Sequence, residues 1–391
     1  VANARPPILI AGAGIGGLAA ALALARANID VQVLEAAPEF AELGAGLQIG
    51  PNGTRILAGW DLGERLREVA LQPRRLLLKD GLSGALLARL PLGDAVEKRY
   101  GSPYLVMPRH ALHGLLLEAV RAMPNVTLSC GMRVETCSAF DDHVFVGGAN
   151  GSKPLEGSAL IAADGVHSAL RAELCGVRAA PSGKIALRAI APSPAELDGD
   201  AADAICVWMG PDAHLVHYPI GGERLNVVAV LDDGAVPVRG KAAIGAGDLA
   251  SLFRNWAGEA QDIVAAGDGW LRWPLFTLPA LAHWSRGAVT LIGDAAHSLP
   301  PFLASGAVMA IEDAAVLAEE VARTPGDCAA AFQRYEARRV PRLARLRAAV
   351  RRTGEIYHMR GAMRLARNLS LAALPRAALV ARNDWLYGFR V

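Results

Sequence analysis

At 391 residues, with 52% hydrophobic and 20% charged side chains, the chain has ordinary globular usage and enough length for two domains with sizeable cores. Forty basic against 38 acidic residues leave a formal charge of only +2, which gives no reason to expect a nucleic-acid partner, since a phosphate-tracking protein needs a concentrated basic face. Five cysteines, Cys130, Cys137, Cys175, Cys206 and Cys328, fall without CxxC spacing; they suggest neither a zinc site nor a disulfide framework, and reduced thiols in the cytoplasm are the expectation.

Pro7 to Ala11 reads as a short apolar strand, followed by Gly12, Gly14 and Gly17 in GxGxxG spacing and then by an Ala/Leu-rich helix. In such a turn the first glycine permits the sharp bend, the second lets the backbone approach a pyrophosphate, and the third lets helix and strand pack closely. The apolar stretch Pro6 to Ala25 is long enough to suggest a signal peptide or a membrane span, but its glycines break it and no basic region precedes it beyond Arg5, so no membrane partner is expected. The next strand, Val31 to Leu34, ends on Glu35, at a distance that suits a carboxylate gripping a ribose hydroxyl. Together these predict a dinucleotide, FAD or NAD, since both carry ADP.

Further along, Arg109 stands at the start of an amphipathic helix, and the strand Leu160 to Ala163 runs into Asp164-Gly165. The stretches Ala204 to Met209, Ala213 to Pro219 and Leu225 to Leu231 are β-rich and predict a second, largely antiparallel sheet. His214 and Tyr218 are four apart on one of these strands and so share a face, with His217 on the other. Asp232 to Asp248, rich in Gly, Ala and Asp, reads as a loop. Val289 to Ile292 is a strand that delivers Gly293-Asp294 to its C-terminal edge, where open α/β sheets bind ligands. After the bend Pro300-Pro301-Phe302, the residues Ser305, Gly306 and Ala307 open a long helix whose free N–H groups and positive dipole end can face an anion. From Cys328 onward the chain reads as helical, and the basic run Arg338 to Arg367 has the spacing of a solvated helix face.

The glycine turn with Glu35, the Arg109 helix, the Asp164-Gly165 segment and the Gly293-Asp294 segment resemble, in order, the signatures of the class A flavoprotein monooxygenases. GAGLQIGPNG (Gly44 to Gly53), HLVHYP (His214 to Pro219) and the terminal DWLYG (Asp384 to Gly388) resemble their single-component aromatic hydroxylases, such as salicylate hydroxylase, 3-hydroxybenzoate 6-hydroxylase and 6-hydroxynicotinate 3-monooxygenase. The resemblance implies an α/β fold with a Rossmann-like FAD-binding domain on a parallel sheet, a smaller α+β substrate domain and a C-terminal helical segment. The order of elements divides these as 1–70, 103–180 and 278–322, then 71–102 and 181–277, then 323–391.

It further implies FAD held noncovalently by Gly12, Gly14, Gly17, Glu35, Arg109, Asp164, Asp294, Gly306 and Ala307, with NADH or NADPH as co-substrate. A small phenolic or hydroxypyridine acid would be hydroxylated by O2 through a flavin C4a-hydroperoxide, in a monomer or homodimer with no metal. His214 and Tyr218 would orient and deprotonate the ring, and Gln48, Pro301 and Arg188 would line its pocket. Another FAD-dependent oxidoreductase, or a non-catalytic FAD-binding protein, are the alternatives. Leu187-Arg188-Ala189, Ala36 and Gln48 depart from the common pattern near the ring pocket and the adenosine end, and bear on the substrate more than on the cofactor.

Overall fold

The computed structural model describes residues 5–40, 46–140, 143–148, 154–193, 202–235 and 242–391. Its first sheet has five parallel strands, in the order Val289–Leu291, Ala159–Ala162, Ile8–Ala11, Val31–Leu34 and Val126–Ser129, with the two-residue strand Ser285–Arg286 antiparallel at one edge. Every residue of Ile8–Ala11 and Ala159–Ala162 is buried, because helices cover both faces of a parallel sheet. The helix Ile15–Arg26 is apolar nearly all round and lies between this sheet and the long helix Gly306–Arg323. Ile8–Ala11 sits where the strand order reverses. The chain leaves it toward Val31–Leu34 on one side and later returns as Ala159–Ala162 on the other, which makes its C-terminal end the crevice where such sheets take ligands.

The second sheet has eight strands, in the order Ala242–Ala243, Asp268–Thr277, Ala180–Pro192, Arg224–Asp232, Ala213–Gly221, Ala204–Gly210, Arg75–Asp80 and Leu86–Pro91. All neighbours are antiparallel except Ala204–Gly210 and Arg75–Asp80, which run parallel. One face, with Trp208 and Leu215, is packed by Phe253, Ile263 and Val264 from two short helices. The opposite face, with Val207, Met209 and Tyr218, packs against Tyr100 and Tyr104.

Two expectations need correction. Asp232 to Asp248 is not one loop: Asp233–Ala235 is a 3-10 turn, Ala242–Ala243 adds an edge strand, and a helix begins at Ala246, with 236–241 outside the described residues. Ile244, Leu249 and Phe253 are buried, and their apolar pull outweighs the Gly, Ala and Asp around them. The basic run 338–367 is not wholly a solvated face either. Arg339 is fully buried on Glu312 and Asp313, and Arg367 is buried near Asp80, so carboxylates on facing elements draw these cations inward. That run spans the 30-residue helix Cys328–Tyr357 and much of Gly361–Ala373. No described helix is long and apolar enough to cross a membrane.

Candidate active site

The turn after the first strand is shaped by its glycines. Gly12 has φ +104°, and a Cβ there would meet the Ala163 carbonyl oxygen at 2.6 Å; a Cβ on Gly17 would lie 1.9 Å from the Gly12 oxygen. Gly14 faces open space, so backbone is laid bare at the crevice. The turn is pinned from both sides. Glu35 accepts the Ala13 N–H at 2.7 Å and the Ala37 N–H at 2.8 Å, and His113 meets the Ala13 oxygen at 2.8 Å, necessarily as an Nε2–H donor because a carbonyl only accepts. Each Glu35 oxygen keeps a second acceptor position. His113 lies 100 residues from its partner and carried no local signal.

Arg109 begins the helix Arg109–Arg121 and is half-buried. Asp164 follows the strand Ala159–Ala162; its Oδ2 accepts the Leu170 N–H, while its Oδ1 is buried without a partner, and burial raises its pKa. The guanidinium of Arg171 donates to the Val166 and Ala295 carbonyls at 2.8 and 3.1 Å, which ties the Asp164 segment to the Gly293-Asp294 segment. Gly293, at φ +57°, turns the chain into a four-residue helix whose first residue, Asp294, is exposed at the sheet edge.

Behind this edge Asp313 accepts from the Gly293 N–H at 2.9 Å and from His297 at 2.5 Å, and Arg339 meets it at 2.7 Å. These partners hold the Asp313 carboxyl below its usual range despite full burial. His297 therefore braces the turn and is committed to Asp313. The helix Gly306–Arg323 starts after Ala304, itself at φ +48°, and its i to i−4 ladder begins with the Met309 N–H, so the N–H groups of Gly306 and Ala307 have no intrahelical partner.

A second group of the expected site residues lies on one face of the second sheet. Cross-strand register sets His214 beside Val230, Val228 between Val216 and Arg188, and Tyr218 beside Asn226. His214, Tyr218, Arg188 and Asn226 thus share a face, and His217 faces away to stack on Trp208. His214 is 2% exposed, ringed by Phe302, Tyr357 and His358, and its pKa is pushed well below the usual imidazole range, chiefly by burial. Burial likewise raises the Tyr218 phenol and lowers the Arg188 guanidinium.

Two donors on this face are orphaned: Arg188 Nε and Asn226 Nδ2 are buried with no hydrogen-bond partner. Asn226 Oδ1 is already taken by the Gly46 N–H at 2.7 Å. Gly46 is obligatory, since a Cβ there would lie 2.7 Å from the Tyr218 oxygen. It opens the strand Gly46–Ile49, in which Gln48 Oε1 accepts from the Tyr104 hydroxyl at 2.6 Å; Gly44 and Ala45 of the same motif lie outside the described residues. Pro301 is half-buried in the turn before Phe302, whose ring lies against Gly354 of the long C-terminal helix. Asn226 and His358 were not singled out in the sequence, where neither sits in a motif.

A protein-family model described as FAD binding domain matches residues 5–351. The chain is 37% identical to 3-hydroxybenzoate 6-hydroxylase of Polaromonas naphthalenivorans, covering 98% of this chain and 96% of that one. It is 35% identical to 6-hydroxynicotinate 3-monooxygenase of Bordetella bronchiseptica, over 88% and 90%. Klebsiella pneumoniae HpxO complexed with FAD and uric acid superposes with a TM-score of 0.85 at 29% identity, over 98% and 97% of the two chains. A salicylate hydroxylase substrate complex shares the fold, with a TM-score of 0.83 at 21% identity over 99% and 96%. The chain belongs to this FAD-binding family, as one of its FAD-dependent aromatic monooxygenases.

Proposed function

We propose that the substrate is a small aromatic acid with a ring hydroxyl, phenolic or hydroxypyridine, and that it lies on the sheet face carrying His214, Tyr218, Arg188 and Asn226. The observation that carries this reading is the pair of orphaned buried donors, Arg188 Nε and Asn226 Nδ2. Buried donors without acceptors cost about 1–3 kcal/mol each, and a carboxylate would satisfy both. The Cα atoms of His214 and Tyr218 stand about 13 Å apart along the strand, so the two side chains meet opposite ends of a small ring. His214 faces the hydroxyl to be activated; Tyr218 joins Arg188 and Asn226 at the acid group. Gln48 and Pro301 line the remaining walls.

The residues fit FAD. The Gly12, Gly14 and Gly17 turn leaves bare backbone for the pyrophosphate, and Glu35 keeps acceptor positions for a ribose hydroxyl. The orphaned Asp164 oxygen and exposed Asp294 would accept from further cofactor hydroxyls, Arg109 would supply charge, and the N–H groups of Gly306 and Ala307 would offer donors and a positive helix end to the electron-rich ring system. When bound, FAD takes electrons from NADH or NADPH and delivers one atom of O2 to the aromatic ring. The protein's own work is to orient the ring, exclude water and hold the hydroxyl ready to lose its proton. A cytoplasmic enzyme, monomeric or homodimeric, completes the proposal.

A screen of aromatic acids and hydroxypyridines for stimulated NAD(P)H oxidation, with products identified by mass, tests it. An acid that gives an oxygenated product is the expected result. Stimulation by many acids with hydrogen peroxide as the sole product would overturn the reading of this face as a substrate site.

A further inference from the structure

The terminal motif Asp384 to Gly388 is fastened, residue by residue, to elements far from it in the chain. Asp384 accepts two bonds from Arg99, at 2.9 and 2.6 Å, and a third from the Tyr100 hydroxyl at 2.6 Å. The Trp385 ring lies 4.5 Å from the Arg345 guanidinium. Arg342 donates to the Trp385 and Leu386 carbonyls, each at 3.0 Å, and to the buried Glu312, whose other donors include the Asn52 amide at 2.7 Å. Leu386 is buried, and a Cβ on Gly388 would lie 2.7 Å from the Asp384 oxygen.

These fasteners fix one ring, that of Tyr387. It stands edge-on to Tyr104, with centroids 5.8 Å apart at 81°, and edge-on to Tyr100, at 5.6 Å and 75°. On another side it fills the space beside Gly50, where a Cβ would lie 3.0 Å from Tyr387 Cε1. With Tyr104, Gly50, Ala304 and Ser305 it borders a cavity of about 10 Å³, room for about one water. Tyr104 in turn points toward the ring pocket. Its hydroxyl donates to Gln48 Oε1 at 2.6 Å, and the Gln48 side chain also hydrogen-bonds Tyr218. Because Gln48 Oε1 is taken, its amide N–H is the donor to the Tyr218 oxygen.

We propose that Tyr387 is a positioning residue that sets ring-size specificity: it braces Tyr104, which through Gln48 holds Tyr218, so that the site closes at the length of one aromatic ring. The inference rests on Gln48 and Tyr218 facing the substrate ring. Edge-to-face contacts have a narrow geometry, so the Tyr387 contact resists turning of Tyr104. Without the Tyr387 ring its space joins the neighbouring cavity, and Tyr104 can swing into the hollow. Gln48 then loses its hydroxyl partner, Tyr218 loses its orienting donor, and the site lengthens by part of a ring. A side chain that merely filled the core would be replaceable by any apolar one of similar volume. The brace needs a planar ring, so Phe replaces it and Leu does not.

The test uses FAD-loaded protein with tyrosine 13C-labelled at the ring δ carbons, as wild type, Tyr387→Phe and Tyr387→Leu. Tyr387→Met, whose flexible chain fills irregular gaps, takes the place of Tyr387→Leu if that variant does not fold. The first readout, with no aromatic ligand, is the rate at which the Tyr104 ring flips, its signal assigned with Tyr104→Phe. The second is titration of the flavin absorbance with a hydroxybenzoate and with a hydroxynaphthoate. Tyr387→Leu should speed the Tyr104 flip and lower the preference for the one-ring acid, each by roughly tenfold, while Tyr387→Phe stays close to wild type in both. Unchanged flipping in Tyr387→Leu overturns the brace, and equal weakening of both acids overturns the specificity role. If wild type bound neither acid, the substrate reading would fall and the specificity role with it, whereas faster flipping would still establish the brace.

Discussion

Replacing Arg188 by Met tests the proposed acid-binding end of the site. The substitution keeps most of the apolar stem and removes a guanidinium whose Nε is buried without a partner. A hydrogen bond to a charged group contributes about 1.5–3 kcal/mol, so an aromatic carboxylate should bind roughly 10- to 150-fold more weakly. The fold should not suffer, because burial already disfavours the charged form of Arg188 and the nearby Arg109 adds repulsion. The assay titrates the flavin absorbance of wild type and Arg188→Met with the aromatic acid and with its methyl ester. The ester keeps the ring and hydroxyl but not the anion. This makes a double-mutant cycle in which one mutation is made on the ligand. The expected result is a wild type that prefers the acid and a variant that has lost most of the preference while melting at an equal or higher temperature. Equal affinity of acid and ester in wild type would refute the assignment of Arg188, as would a variant that weakens both alike.

Asp294→Ala should loosen FAD by about 1–3 kcal/mol through the loss of an acceptor at the sheet edge, read by equilibrium dialysis of the yellow protein; unaltered retention would remove Asp294 from the cofactor site. His214→Ala should lower hydroxylation roughly 100- to 10,000-fold and raise hydrogen peroxide released per NAD(P)H consumed, whereas His217→Ala, on the opposite face, should leave the coupling close to wild type. Stability should also fall on mild acidification. His214, His217 and His358 all have folded-state pKa values below their unfolded value, the latter two at about 3 and about 4, so the unfolded chain binds more protons below about pH 6.5. Stability present above that pH is lost toward pH 4, by up to about 1.4 kcal/mol per pH unit for each histidine, and a flat urea-melt profile from pH 7 to 5 would contradict the burial argument.

The glycine turn after the first strand was legible because its signals are local. Gly12, Gly14 and Gly17 announce a turn through steric requirements that reside in a few consecutive residues, and Glu35 follows at a readable distance. Period-two reasoning was equally sufficient for His214 and Tyr218, because strand alternation alone puts them on one face and His217 on the other. What escaped were contacts that only tertiary pairing creates. His358 meets His214 across 144 residues, and Asn226 meets Gly46 across 180. The basic run misled for the same reason: helical spacing shows which arginines share a face, but not that Glu312, Asp313 and Asp80 wait opposite Arg339 and Arg367.

The parallel sheet also sets a timetable for synthesis. Ile8–Ala11 is its central strand, yet its neighbour Ala159–Ala162 follows about 150 residues later, and Val289–Leu291 completes that side only after about 280. At ribosomal rates of about 5–20 residues per second, the apolar strand and the helix Ile15–Arg26 wait roughly 15 to 60 s for their full set of partners. The nascent chain must carry that surface uncovered, and non-local parallel pairing is slow even once the partners arrive. Yield of folded protein in a cell should therefore depend on chaperone capacity and temperature during translation more steeply than the stability of the finished enzyme would suggest.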